Sequence, residues 1–102
     1  MTAENDIKKA YCIETFIAKS GKRNELIAAL QALALETKQE LGCRQYELLQ
    51  DERDDHKLIL IVEFETKAQM LEHESKAYIV NFSENLMTHL CESVSWVDAI
   101  QR

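Results

Sequence analysis

The apolar positions change period several times along the chain. Residues 10–18, AYCIETFIA, are rich in β-branched and aromatic side chains, which suits a strand. Alternation puts Tyr11, Ile13, Thr15 and Ile17 on one side and Cys12, Glu14 and Phe16 on the other. Ser20-Gly21 breaks the pattern and offers a helix start. From Lys22 to about Glu40 the period is helical: Leu26, Leu30 and Leu33, with Ile27, Ala34 and Leu41, form one apolar stripe. Gly42 supplies the stop. Cys43–Gln50 reads as a second strand, and the polar run Asp51–His56 as the tip of a hairpin.

The next stretch, Leu58-Ile59-Leu60-Ile61-Val62-Glu63-Phe64, does not alternate, so protein is expected on both faces of this strand. Thr66 can cap a helix over Ala68–Glu74 that continues through Tyr78, Ile79, Phe82, Leu86 and Leu90 at three- and four-residue steps. Ser93–Ile100 reads as a last strand. The order is β-α-β-β-α-β, an α+β, ferredoxin-like arrangement whose helices cover one face of an antiparallel sheet. An apolar third strand then needs a cover for the second face, and a twofold-related copy is the economical one. The pattern therefore predicts a homodimer, with Trp96 in its interface.

Length and composition narrow the function classes. A chain of 102 residues is expected to form one domain, core 10–100, with no repeats or linkers. Apolar residues are 46% and charged residues 29%, which suits a globular chain and not a disordered one. Twelve Lys/Arg against eighteen Asp/Glu leave a net charge of −6, which repels nucleic acid phosphate and anionic membrane. No run approaches the roughly 20 apolar residues of a membrane span. MTAENDIKK lacks the apolar core of a signal peptide, so a cytoplasmic location is expected. Cys12, Cys43 and Cys91 show neither C-x-x-C nor metal-ligand spacing to histidine, which reads as reduced packing thiols and no metal site. Asp54-Asp55 lacks the spacing of a calcium loop.

Several segments together carry a family resemblance. Ala18-Lys19-Ser20-Gly21-Lys22, then Leu41-Gly42-Cys43-Arg44-Gln45-Tyr46-Glu47-Leu48, then Phe64 and His73, resemble the antibiotic biosynthesis monooxygenase domain. That family's usual run is K-P-G-K after strand one and E-P-G-C-x-x-Y-E-L into strand two. An aromatic then ends strand three, and a histidine lies in the next helix. The likeness extends from about Tyr11 to Leu86. It implies a dimeric α+β barrel and, among the family's activities, cofactor-independent oxygenation of quinols and phenols. Haem degradation fits less well, because the first strand has no asparagine and Phe64 stands where those relatives have tryptophan. Two departures matter. The glutamate expected two residues before Phe64 is replaced by Val62, with the acid one place along at Glu63, and a second histidine is replaced by Tyr78. A one-residue shift in a strand turns a side chain to the opposite face.

Each candidate has a plain reading beside the sharp one. His73 is either a helix-surface histidine or a general base for a phenolic or quinol hydroxyl, since imidazole titrates near neutrality. Glu63 is either a pocket acid or an edge charge facing solvent or a partner chain. Tyr78 lies about one and a half turns from His73 and is either a pocket residue or not. Tyr46 is core or substrate clamp; Phe16, Phe64 and Phe82 would supply apolar walls. His56 and His89 read as solvated.

The leading expectation is a small monooxygenase acting on a quinol or phenolic aromatic, with no metal or flavin and with His73 or Glu63 as acid–base group. The alternatives are a ligand-binding dimer without turnover and an isomerase of a small carbonyl compound.

Overall fold

The computed structural model describes residues 8–102, so the reading of positions 1–7 lies outside the described residues. The elements are β1 (Ala10–Ala18), α1 (Arg23–Thr37), β2 (Cys43–Asp51), β3 (Asp54–Phe64), α2 (Lys67–Glu74), α3 (Ala77–Asn81), a π-helical turn Phe82–Leu86, α4 (Met87–Leu90) and β4 (Cys91–Ile100). The strands form an antiparallel sheet in the order β2-β3-β1-β4, the ferredoxin-like α+β arrangement anticipated from the pattern.

Register decides which residues reach the core. β1 pairs with β3 so that Cys12 lies opposite Val62, Glu14 opposite Leu60 and Phe16 opposite Leu58. β4 continues the row with Asp98 beside Cys12, Trp96 beside Glu14 and Val94 beside Phe16, while Tyr46 and Leu48 of β2 extend it from the other side. These even-numbered residues face the helices, and the apolar ones from Cys12 to Val94 pack with Leu26, Leu30, Met70 and Phe82. β3 does alternate in burial: Leu58, Leu60, Val62 and Phe64 are buried, and Ile59, Ile61 and Glu63 only half-buried. The other sheet face carries Ile13, Leu49 and Val97, 36%, 39% and 60% exposed. This is the uncovered apolar surface that the sequence pattern requires. Trp96 is not on that face: its parity sets it on the helix side of the edge strand β4, where it is exposed.

The helices depart from the expected pattern in three places. Lys22, not Ser20, precedes α1, and no side chain caps that end. α1 stops at Thr37, before Gly42, and Leu41 lies beyond it at 86% exposure, outside the apolar stripe. Backbone bonds Gln39 N–H to Glu36 O (3.1 Å), Glu40 N–H to Thr37 O (3.0 Å) and Cys43 N–H to Glu40 O (3.1 Å) then hold the 38–43 turn in one shape. The expected long second helix is interrupted. Thr66 caps α2 by accepting from Gln69 N–H as anticipated, but Lys76 is extended (ψ 141°) and the chain restarts as α3. Ser75 promotes the stop by turning its hydroxyl back onto Glu72 O at 2.7 Å, competing with helix continuation.

Candidate active site

A cavity of about 320 Å³ lies between the even-numbered sheet face and the helices. Phe16, Leu60 and Val62 form part of its floor, and Leu30, Met70 and Phe82 part of its roof. Phe16 and Phe82 meet edge to face, ring centres 6.3 Å apart. Its rim carries Glu74, Ser83, Trp96 and Asp98, all exposed. The volume sits at the low end of the range, about 300–1,000 Å³, typical of small-molecule sites.

His73 lies on the wall, 7% exposed, which rules out the helix-surface reading. It packs on Phe64, which is fully buried behind it, with ring centres 5.1 Å apart. Its Nδ1 lies 2.7 Å from Glu40 Oε2, and the same oxygen accepts the Tyr78 hydroxyl. Since the Tyr78 proton is spent on Glu40, the Thr37 hydroxyl at 2.8 Å donates to the Tyr78 oxygen. Thr37 itself is completely buried. Burial and the neighbouring Glu40 push the Tyr78 phenol well above its ordinary range, so it stays a donor.

The helix break makes this convergence possible. Five residues along one unbroken helix would turn Tyr78 about 140° away from His73. The restart at Lys76 instead brings their ring centres to 6.3 Å, edge to face, around a common acceptor. Gly42 contributes from the other side. Its φ of +87° suits glycine, and a Cβ there would meet the Gln69 side chain at 2.0 Å. The backbone of the 38–43 turn thus packs directly on the Gln69 side chain of α2, the helix that carries His73.

The opposite wall is acidic. Glu14, Glu74 and Asp98 line it with Cys12 among them. Burial raises the Glu14 carboxyl above its ordinary range, and burial first and Asp98 second do the same to Glu74. Burial first, and then the charges of Glu14 and Asp98, drive the Cys12 thiol far up, so it stays protonated. The ligand atoms of Cys12, Glu74 and Asp98 lie within 4.8 Å of one another, as do those of Asp54, Asp55 and His56 at the exposed hairpin. The first grouping was not visible from sequence spacing, whereas the second is contiguous in the chain.

The anticipated site residues separate accordingly. Phe16, Phe82, Tyr46 and His73 border the cavity. Tyr46 offers its ring, because its hydroxyl donates to Leu30 O at 2.5 Å. Phe64 and Tyr78 stand behind His73 rather than on the wall. Glu63 is the main correction. It pairs with Tyr11 on the other sheet face and meets Lys9 Nζ at 3.7 Å, because the one-place shift from Val62 reverses its direction. Glu40, Thr37, Glu14 and Asp98 were not anticipated. Glu14 was readable as a carboxylate sharing a strand face with Phe16.

A family model described as antibiotic biosynthesis monooxygenase matches residues 10–85. The chain belongs to the antibiotic biosynthesis monooxygenase family. That family's fold is a dimeric α+β barrel, and Glu40 occupies the first position of its E-P-G-C run. The chain is similar to a protein of Shewanella oneidensis at 30% identity and TM-score 0.89, covering 94% of this chain and 93% of that one. It is similar to a Pseudomonas aeruginosa protein at 26% identity and TM-score 0.83, covering 93% and 95%. A Mycobacterium tuberculosis protein at 22% identity shares the fold, with TM-score 0.84 over 92% and 95%. No protein of curated function matches the chain. Among the described residues, no helix is long and apolar enough to cross a membrane.

Proposed function

We propose that this family member is a homodimeric monooxygenase that oxidises a small neutral quinol or phenol, with electrons drawn from the substrate itself. The observation that carries the reading is an apolar cavity bordered by one buried histidine whose Nδ1 is already bound by Glu40. The remaining ring nitrogen, Nε2, is then the one free to take a proton from a substrate hydroxyl. The resulting anion gives one electron to dioxygen, and the radical pair combines at a ring carbon to form a hydroperoxide. Loss of water leaves a carbonyl on that carbon: its C–H bond breaks together with the O–O bond, and the proton that His73 took from the hydroxyl returns to the peroxide oxygen. The balance is one phenol plus dioxygen to one quinone plus water. An apolar cavity keeps competing water from the intermediates. The acidic wall favours a neutral substrate, because an anionic one would meet three carboxyl groups.

Dimerisation rests on the open sheet face with Ile13, Leu49 and Val97, and on the family's dimeric barrel. Light scattering should give about twice the 11.8 kDa chain mass. The function is tested by oxygen uptake and loss of substrate absorbance across a panel of benzene-, naphthalene- and anthracene-type quinols and phenols. Consumption above the spontaneous rate supports the oxygenase. Tight binding without uptake would instead assign a ligand-binding dimer.

A further inference from the structure

We propose that Glu40 is a positioning residue: it fixes His73 as the Nδ1–H tautomer, so that the basic nitrogen facing the cavity is Nε2. The kinetic half of this inference rests on the reading of His73 as the base; the tautomer itself does not. Nδ1 lies 2.7 Å from Glu40 Oε2, and both side chains are nearly enclosed, 9% and 13% exposed. A carboxylate only accepts, so the proton between them belongs to the histidine. Neutral imidazole carries one N–H, which leaves Nε2 as acceptor.

The arrangement around Glu40 is built rather than incidental. Thr37 donates to Tyr78, Tyr78 donates to Glu40, and the turn that carries Glu40 is tied by backbone bonds to the end of α1. The close approach of Gly42 to Gln69 sets that turn against α2, one helical turn before His73. Two chain segments 33 residues apart in sequence are therefore held in register on one hydrogen bond. When Nε2 takes a proton, the imidazolium that forms is already beside a carboxylate, as in the orienting role of the acid in hydrolase triads.

The test has a spectroscopic arm and a kinetic arm. Long-range ¹⁵N–¹H correlation spectra of the whole protein, with His73 assigned by its loss in His73→Ala, should show a protonated Nδ1 and an unprotonated Nε2. Glu40→Gln keeps the shape but removes the charge, and should mix the tautomers. Tyr78→Phe leaves the Glu40–His73 pair and should keep the wild-type tautomer. With a substrate in hand, Glu40→Gln should lower kcat on the order of 10- to 100-fold with little change in KM, and should alter the pH profile. A wild-type Nε2–H tautomer overturns the proposal even if Glu40→Gln does not fold. So does a tautomer unchanged in Glu40→Gln, or one lost in Tyr78→Phe instead. If the spectra agree and no phenol is consumed, the positioning role stands and the oxygenase reading falls.

Discussion

The two walls of the cavity handle their acid groups in opposite ways. On the helix side, Glu40 accepts from His73 and Tyr78 and sits in a turn locked by its own backbone. On the sheet side, burial raises the pKa of Glu14, and the neighbouring acids Asp98 and Glu74 add to the rise. One wall is organised around a proton acceptor. The other is a set of under-compensated acids that colours the field of the cavity. The contrast teaches that burial alone does not mark the group that works. Partners do.

Removing His73 tests that contrast most severely. His73→Ala should lower turnover on the order of 10²-fold or more, the scale for losing a positioned general base. Full activity in the variant would move the base to the acidic wall.

Gly42→Ala should come next, because it attacks the joint behind His73. The φ of +87° and the Gln69 side chain at 2.0 Å both oppose a methyl group. We expect a stability loss of about 1–3 kcal/mol in denaturant unfolding, with any surviving activity reduced. A neutral result would mean that the turn shifts freely and that Glu40 is not rigidly placed.

How far the sequence foretells this wall is uneven. The strands and α1 were legible because apolar period tracks burial, and the bare sheet face followed from a third strand apolar on both sides. The faces that Trp96 and Glu63 take were not legible for one reason: a step of one residue exchanges faces, and only the pairing register settles parity. The break at Lys76 was hidden because the apolar steps run on through Tyr78, Phe82 and Leu90 without glycine or proline. Glu40 was hidden differently. Its partner is 33 residues away, a contact that no local periodicity encodes.

The acidic wall predicts a pH signature for stability. Burial raises the folded-state pKa of Glu14, and Glu74 shifts the same way. The folded chain thus keeps protons that the unfolded chain has already released. This contribution is greatest below the unfolded carboxylate pKa and is lost as pH rises through the raised folded value. Urea unfolding across that window should show stability declining with pH. Glu14→Gln should flatten the decline and add about 1 kcal/mol at neutral pH, by removing an under-compensated buried charge. An unchanged slope would show that Glu14 is better solvated than its place beside Phe16 and Trp96 implies.

The smallest effect is expected at Glu63, and its smallness is what makes it informative. A carboxylate at the end of strand three is where the family pattern invites an acid–base role, and one residue of displacement is all that separates it from the cavity. Here it faces the other side of the sheet, opposite Tyr11, with Lys9 Nζ at 3.7 Å. Lys9 is 40% exposed, so the pair is worth less than about 1 kcal/mol. Glu63→Gln should therefore leave turnover within about twofold, since its carboxylate is separated from His73 by the sheet. Val62→Glu makes the complementary change by placing the acid on the cavity floor, where burial would raise its pKa and cost stability, about 2 kcal/mol or more. A tenfold loss of rate in Glu63→Gln, with mass and melting temperature preserved, would show that the sheet's outer face takes part in the chemistry, and the division between the two faces would have to be redrawn.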